Sequence, residues 1–267
     1  MLYFIQQVLG THFRAAKITP NCVNLGITMA LQPWITGTVI RIADHTPTTR
    51  QFWIEVPTLS VFDFKPGQFV TLDLPIHEKP NKRWRSYSIA SRPDGTNVFE
   101  LIIVKVENGA GTTYLFDQVT VGSTLTLRGP QGVFVLPEHL EEDLFLICTG
   151  TGIAPFRSMV THLWKHQIHT GAVHLVFGCR KKEDLLYFDE LTQLQQENPS
   201  FHYHPVLSRE SWEGKSGYVH AVYEALCEQK QPAHFLLCGW KNMIDEAYAR
   251  IQAMGYDKKS IHREIYG

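Results

Sequence analysis

A glycine-containing turn between an apolar run and a helical pattern carries the clearest chemical signal in this chain. Residues 144–148 are typical of a buried strand, and the turn at 149–152 leads from them to Pro155, which suits the first position of a helix. The first turn of a helix presents backbone N–H groups without acceptors, and together with the helix dipole they attract phosphate. Pro155 stands where the dinucleotide fingerprint has its third glycine. We predict that a nucleotide pyrophosphate lies over this turn; a loop that binds nothing is the alternative.

A second motif, Arg85-Ser86-Tyr87-Ser88, places a cation, an aromatic ring and hydroxyls in one extended stretch. On a strand, Arg85 and Tyr87 share one face, while Ser86 and Ser88 share the other. An arginine can hold a pyrophosphate through paired hydrogen bonds, a tyrosine ring can stack on an isoalloxazine, and a serine hydroxyl can reach flavin N5. The motif therefore predicts a flavin site, with an ordinary exposed strand as the alternative.

Another glycine turn precedes a short helix. Gly109, Gly111 and Thr112 lead directly into the helix that we expect at 113–119. Small residues let a ligand approach the backbone, the helix start offers N–H donors, and Thr112 adds a hydroxyl. A second phosphate contact is predicted here, and a capped helix without a ligand is the alternative.

A charged loop follows the third strand of the second half. Dinucleotide sites that prefer NAD usually place an acid at this point, whereas basic groups accommodate the additional phosphate of NADP. Ser208, Arg209, Lys215 and Tyr218 therefore favour NADPH, although Glu210 is an acid in the same loop. A solvated charged loop is the alternative.

Two segments near the end of the chain carry groups for a reacting centre. Cys238 ends an apolar run and Gly239 follows it. Ligands bind at the carboxyl ends of parallel strands, and the glycine permits a ring to approach the backbone. A buried structural cysteine is an equally good interpretation. The ring of Tyr266 either covers a flavin face and yields to nicotinamide, or anchors the last strand.

Composition limits the function classes. With 267 residues, 44% hydrophobic and 19% charged, the chain has room for two domains of common size. A net charge of -1 gives no field that would attract nucleic acid. The five cysteines are scattered, which argues against a metal or iron–sulfur site and favours a reducing, cytoplasmic setting. No apolar run approaches the roughly 20 residues that a membrane-spanning helix needs.

The elements that must position these residues change character halfway along the chain. Short strands separated by turns indicate a six-stranded antiparallel β-barrel, with strands expected at 37–43, 49–56, 68–74, 86–91, 99–106 and 123–128. From residue 144 onwards apolar runs alternate with helical patterns, which predicts a parallel five-stranded sheet with helices on both faces. Its strands are expected at 144–148, 173–177, 203–207, 234–238 and 261–266.

We therefore divide the chain into three parts. Residues 1–33 are an N-terminal extension of uncertain structure, 34–138 a β-barrel domain that carries the flavin motif and 139–267 an α/β domain that carries the nucleotide motifs. Residues 1–28 carry no clear periodicity, and Met29 is an alternative start of translation.

Taken in chain order, these motifs resemble the ferredoxin–NADP+ reductase family of flavoproteins. The matching stretches are 85–88, Gly109 with Thr112, 149–157, 238–243 and 264–266. The resemblance implies an FAD-dependent oxidoreductase that uses NADP(H). It implies catalytic roles near the flavin–nicotinamide contact for Ser88, Cys238, Glu264 and Tyr266. The cofactor-binding positions that follow from the resemblance are Arg85, Ser86, Tyr87, Ser88, Ile103, Val104, Gly111, Thr112, Thr113, Thr149, Gly150, Thr151, Gly152, Arg180, Ser208, Arg209, Lys215, Tyr218, Gly239 and Met243.

The chain departs from the family in two respects. Many relatives fuse a [2Fe–2S] domain, for which this chain lacks the cysteines, so we expect electrons to pass to a separate molecule such as a ferredoxin or flavodoxin. We also expect a monomer. Lys79, Lys82 and Arg83 are cations that could attract such an acidic carrier, or they form a solvated turn. The family's photosynthetic members end at the aromatic residue, whereas Gly267 follows Tyr266 here.

Two other functions stay open. One is an NAD(P)H-dependent flavin or quinone reductase, or the reductase component of an oxygenase system. The other is a flavin-binding regulatory subunit without turnover.

Overall fold

Residues 32–266 are described by the computed structural model, in two six-stranded sheets. Almost all of the predicted extension at 1–33, including Met29, lies outside the described residues. The strands are β1 (Ile35–Thr46), β2 (Thr49–Glu55), β3 (Phe69–Asp73), β4 (Trp84–Ser88), β5 (Val98–Val104), β6 (Thr124–Gln131), β7 (Asp143–Thr149), β8 (Val173–Cys179), β9 (Phe201–Leu207), β10 (Lys215–Ser216), β11 (Ala233–Trp240) and β12 (Ile261–Tyr266). The helices are α1 (Ala110–Asp117), α2 (Ala154–Lys165), α3 (Phe188–Glu197), α4 (Val219–Leu226) and α5 (Lys241–Ala253).

The first sheet is antiparallel and closes into a barrel. Its strands lie in the order β4-β3-β6-β1-β2-β5, and an antiparallel bridge between Ile89, just after β4, and Leu101 on β5 joins the two edges. Along β2, Phe52 and Ile54 are buried in the barrel core, while Trp53 between them stays partly exposed. Because side chains on a strand alternate between faces, this pattern fills the interior. The predicted six-stranded antiparallel barrel is confirmed.

The second sheet is parallel, in the order β10-β9-β8-β7-β11-β12. From β7 the chain passes to β8 and β9 on one side, and later returns to β11 on the other side of β7. Such a reversal opens a crevice between the carboxyl ends of the two central strands, here β7 and β11. The predicted parallel sheet is confirmed. The structure adds β10, a two-residue strand, to the five that the sequence indicates.

Helices cover both faces of this sheet. On β7, Leu144, Leu146 and Cys148 share a core with residues of α2 and α3, whereas Phe145 and Ile147 share one with α4 and α5. A strand buried on both faces is apolar throughout, which explains the continuous run in the sequence. The longest helix, α5, has 13 residues, and within 32–266 no helix has the length and apolar character needed to cross a membrane.

Several predicted boundaries in the first half differ from the structure by a few residues. The helix expected to begin at residue 113 begins at Ala110, because the carbonyl of Gly109 accepts a hydrogen bond from the N–H of Thr113 at 2.9 Å and closes the first turn earlier. The strand expected to end at residue 128 continues as β6 to Gln131 through pairing with β3.

Candidate functional site

The end of barrel strand β4 meets the last strand of the parallel sheet. Ser88 is 5% exposed, and its Oγ donates a hydrogen bond to Oε1 of Glu264 on β12 at 2.6 Å. Glu264 stands beside Cys238 of β11 in the strand ladder. Tyr266 ends β12 and packs on the core that contains Cys238. The structure thus gathers the four residues for which catalytic roles are predicted.

Burial sets the protonation of these groups. It raises the pKa of the Glu264 carboxyl, and the hydrogen bond from Ser88 opposes this effect. Burial, with the neighbouring Glu264 charge, raises the pKa of the Cys238 thiol well above its ordinary value. The thiol therefore stays protonated, which disfavours its reaction as a nucleophile. Burial likewise raises the pKa of Tyr266, so its ring carries a neutral hydroxyl.

Thr149 and the four residues after it form a cradle at the carboxyl end of β7. Gly150–Ile153 make a 3-10 turn that runs into α2. Gly150 has a φ of +54°, and a Cβ there would meet no atom within 4 Å, so the turn is open on that side. On the other side, a Cβ on Gly152 would lie 2.5 Å from the carbonyl oxygen of Cys238. The first turn of α2 holds no acidic residue, and the cradle fits a nucleotide pyrophosphate.

Replacing Gly152 with alanine is expected to cost about 3 kcal/mol of unfolding free energy, because the new Cβ would overlap backbone that cannot move aside. Gly150→Ala is the matched comparison. Its Cβ would occupy open space, so only the left-handed backbone conformation costs about 1 kcal/mol. Urea unfolding of both variants measures the difference, and equal losses would contradict the packing described for this turn.

Arg85, in the barrel motif, lies against α1. A Cβ on Gly111 would be 3.0 Å from its Cγ and 3.1 Å from its Nε. Its Nη1 donates to the carbonyls of Lys82 at 3.1 Å and Trp84 at 2.7 Å, which orients the guanidinium and leaves its other N–H groups available. No acidic residue lies in the first turn of α1, whose N–H groups lack intrahelical acceptors. Arginine and helix start together fit the pyrophosphate of FAD.

The other residues of the barrel motif differ in exposure. Tyr87 is half-buried, and burial raises its pKa to about 12 against the opposing effect of Arg85. Its hydroxyl is therefore neutral. Ser86 is exposed, and its hydroxyl shares a hydrogen bond with Thr71 at 3.1 Å on the opposite face of the sheet. Thr113 is exposed on α1.

Two predicted cofactor positions have side chains that are already engaged. The Thr112 hydroxyl accepts from the N–H of Val106 at 3.0 Å and donates to the carbonyl of Gly109 at 3.1 Å, so it fixes the helix start. The side chain of Ile103 is 2% exposed in the barrel core, which leaves only its backbone for a ligand. Val104 is half-buried at the end of β5.

The residues predicted for the phosphate of NADP follow β8 and β9. The N–H of Arg209 donates to the carbonyl of Arg180 at 3.0 Å, and both side chains are exposed. Ser208 Oγ donates to the last carbonyl of β8 at 3.2 Å. Glu210, the acid that argues against NADPH, accepts from the N–H of Lys182 at 2.8 Å. Its carboxylate is therefore engaged within the protein.

The remaining nucleotide positions are spread over several environments. Lys215 on β10 is exposed, and Tyr218 is 74% exposed. Thr151 is half-buried in the turn, and Gly239, at a φ of +133°, packs closely on β7. Gly239 is buried, and Met243 is half-buried against the core beneath α4 and α5.

Sequence reasoning missed a buried polar contact between the barrel and the parallel sheet. Glu100 on β5 is 3% exposed and accepts hydrogen bonds from Nη1 of Arg157 at 3.0 Å and from the hydroxyl of Tyr187 at 2.6 Å. A lone carboxylate within the apolar run of β5 was the available signal, because a buried acid requires partners. Glu100, Arg157 and Tyr187 are named the barrel–sheet clasp below.

Two family models match the chain. The Oxidoreductase FAD-binding domain matches residues 37–136, and the Oxidoreductase NAD-binding domain matches residues 146–248. The first range contains Arg85 and α1, and the second contains the glycine turn and α2.

Relatives of known name cover much of the chain. It is 35% identical over 241 residues to ferredoxin--NADP reductase B of Sorangium cellulosum, covering 85% of this chain and 96% of that protein. It is 35% identical over 185 residues to the anthranilate 1,2-dioxygenase electron transfer component of Acinetobacter baylyi, and this match covers 68% of this chain and 52% of that protein. It is 28% identical to the glycine betaine monooxygenase reductase subunit of Pseudomonas aeruginosa, and this match covers 88% of this chain and 66% of that protein. The chain thus spans nearly all of the first relative but about half to two thirds of the others.

Solved structures share the fold. A ferredoxin NADP+ reductase from Neisseria gonorrhoeae with bound FAD and NADP is 25% identical with a TM-score of 0.74, covering 87% of this chain and 98% of that one. The Amycolatopsis cytochrome P450 reductase GcoB is 28% identical with a TM-score of 0.78, covering 88% and 70%. The cradles at Arg85 and at the glycine turn fit the cofactors of such enzymes, FAD and NADP(H). The chain belongs to the ferredoxin–NADP+ reductase family of flavoprotein oxidoreductases.

Proposed function

We propose that this protein oxidises NADPH through FAD and passes single electrons to a separate carrier, such as a ferredoxin or flavodoxin. The observation that carries the proposal is the hydrogen bond from Ser88 to Glu264 at 2.6 Å. It joins the flavin motif of the barrel to the strand beside Cys238. The two cofactor sites therefore converge on one contact.

Each cofactor site has a defined task in this proposal. When bound, FAD accepts a hydride from nicotinamide and releases electrons one at a time. Arg85 and the start of α1 hold the FAD pyrophosphate, and Tyr87 supports the ring. Ser88 and Glu264 hold a proton between Oγ and Oε1.

The nucleotide side aligns the reacting ring of NADPH. The turn Gly150–Ile153 holds the pyrophosphate, and Arg180 and Arg209 bind the additional phosphate of NADPH. Cys238 and Gly239 form the wall of the nicotinamide pocket and exclude water from it. With these assignments the FAD-binding part spans 34–138 and the NADP-binding part 139–267.

Charge supports an acidic carrier as partner. Lys79 and Lys82 are exposed just before β4, and Arg83 is held there by an ion pair with Asp73. Exposed cations near the flavin motif would steer an acidic protein towards it. The proposal includes a monomer in the cytoplasm, and the free thiols of Cys148, Cys179, Cys227 and Cys238 support that location.

A second candidate is the reductase component of an oxygenase system, because two of the relatives above carry such names. Anaerobic turnover of NADPH with ferredoxin, flavodoxin, an oxygenase component, free FMN and a quinone, compared side by side, separates the candidates. Faster electron transfer to ferredoxin or flavodoxin supports the proposal. Preference for FMN or quinone indicates a flavin or quinone reductase, and NADPH that stays unoxidised with every acceptor, although FAD is bound, indicates a regulatory subunit.

Arg209→Ala is expected to raise the KM for NADPH about 10- to 100-fold, because it removes a charge-assisted hydrogen bond to phosphate. The KM for NADH should stay unchanged, since NADH lacks that phosphate. Arg250→Ala is the control, because Arg250 lies in exposed ion pairs on α5. An equal effect on both nucleotides would contradict the assignment of Arg209.

A further inference from the structure

The barrel–sheet clasp has a role that the proposed function leaves unassigned. We propose that Arg157 is a positioning residue that fixes the segment carrying Ser88 relative to the glycine turn. The inference rests on the proposed function, because it takes Ser88 to lie at the hydride-transfer site. It adds the side chain that aligns the two halves of that site.

Arg157 is tied to both halves by its position and its contacts. It lies in the first turn of α2, directly after the turn Gly150–Ile153 that forms the phosphate cradle. Its Nη1 donates at 3.0 Å to the carbonyl of Ala90, two residues beyond Ser88 in the chain. A single side chain therefore connects the nucleotide turn with the segment that carries Ser88.

Glu100 secures the same segment from the barrel side. Its Oε2 accepts from Arg157 at 3.0 Å, and its Oε1 accepts from Nε2 of Gln51 at 2.8 Å. Its backbone carbonyl accepts from the N–H of Ala90 at 2.8 Å. Ala90 is thus bound on one side by Glu100 and on the other by Arg157, so a shift of the segment breaks at least one of these bonds.

Tyr187 secures the clasp from the sheet side. It has a φ of 57°, a left-handed conformation that is uncommon for an aromatic residue. Its ring centroid lies 4.3 Å from Cζ of Arg157, and its N–H donates to Nε2 of His45 on β1 at 3.1 Å. Such a conformation persists where its surroundings impose it. The clasp is therefore a defined arrangement and not an incidental contact.

The clasp uses the planar shape of the guanidinium. Nε of Arg157 donates to both carboxylate oxygens of Glu190 on α3, at 3.1 and 3.0 Å, while Nη1 donates to the carbonyl of Ala90 in the barrel half. Burial lowers the pKa of Arg157, but the carboxylates of Glu100 and Glu190 and the Tyr187 hydroxyl raise it overall, so the cation persists. A lysine ammonium keeps the charge but cannot donate in all these directions from one plane.

Arg157→Lys tests this positioning role. We expect hydride transfer, followed by anaerobic stopped-flow bleaching of FAD with NADPH, to slow about 10- to 100-fold, the usual cost of a misplacement of roughly 1 Å. The dissociation constant for NADP+, measured by calorimetry, should change less than about threefold, because the contacts that hold the nucleotide are retained. Backbone amide exchange at residues 88–91 should accelerate, which is a readout independent of turnover.

A matched substitution and a second variant complete the experiment. Arg250→Lys alters an exposed arginine in ion pairs of α5 and is expected to change none of these quantities. Glu100→Gln places an amide against Arg157, and it should slow hydride transfer and accelerate the same amide exchange.

The proposal is overturned if Arg157→Lys with full FAD content transfers hydride at the unchanged rate. It is also overturned if adding FAD restores the rate, or if exchange at 88–91 stays unchanged. If NADPH fails to bleach the unsubstituted protein, the proposed function is contradicted instead. In that case, comparing backbone amide exchange at residues 88–91 between Arg157→Lys and the unsubstituted protein still decides whether Arg157 holds the segment that carries Ser88.

Discussion

Replacing Ser88 with alanine is expected to slow hydride transfer from NADPH about 100-fold while FAD stays bound. Ser88 Oγ is the one donor to Oε1 of Glu264 in the described contacts of that carboxylate, at 2.6 Å, and it stands where the flavin motif meets the nucleotide sheet. Loss of one preorganised donor at a reacting centre has a cost of this order. Anaerobic stopped-flow absorbance of the flavin band measures the rate.

The control for this experiment is Ser123→Ala. Ser123 accepts a hydrogen bond from the N–H of Thr120 in a turn before β6, away from both cofactor motifs. That variant should transfer hydride at the original rate. An unchanged rate in Ser88→Ala would remove Ser88 from the reacting centre, whatever the effect on stability.

Arg85→Ala is expected to weaken FAD binding about 100-fold, so that the purified protein loses most of its yellow colour. The guanidinium is oriented by the carbonyls of Lys82 and Trp84, and its Nε lies close to Gly111 in the first turn of α1. Removing charge-assisted hydrogen bonds worth about 3 kcal/mol gives this change in the dissociation constant. Fluorescence titration of the flavin-free protein with FAD measures it.

The FAD affinity of Arg85→Lys should lie between those of the unsubstituted protein and Arg85→Ala, since an ammonium keeps the charge but lacks the bidentate geometry. Arg41→Ala is the control. Arg41 stacks on the ring of Trp53, 4.4 Å from its centroid, and takes no part in the flavin motif. Equal retention of FAD in Arg85→Ala and Arg41→Ala would contradict the pyrophosphate assignment.

Local sequence patterns were sufficient for most of the fold. The continuous apolar run of β7 predicts a strand buried on both faces, and the two faces are covered by α2 with α3 and by α4 with α5. Pro155, at the second position of α2, fits the helix start indicated by the sequence. Both signals depend on neighbours within a few residues, which a sequence displays directly.

Contacts between distant residues escaped the sequence analysis. Glu100 reaches Tyr187 across 87 positions and Arg157 across 57, and no local periodicity encodes such pairs. The two-residue strand β10 is too short to produce an alternating pattern.

In the proposed function FAD and NADPH lie side by side, FAD held by the barrel and NADPH by the parallel sheet, around the contact of Ser88 with Glu264. Anaerobic titration of the FAD-loaded protein with NADPH, followed at the visible flavin band, tests this most directly. We expect the band to bleach completely with about one NADPH per FAD, since a hydride carries two electrons. A protein that takes up no FAD, or whose bound FAD stays oxidised in excess NADPH, would contradict the account.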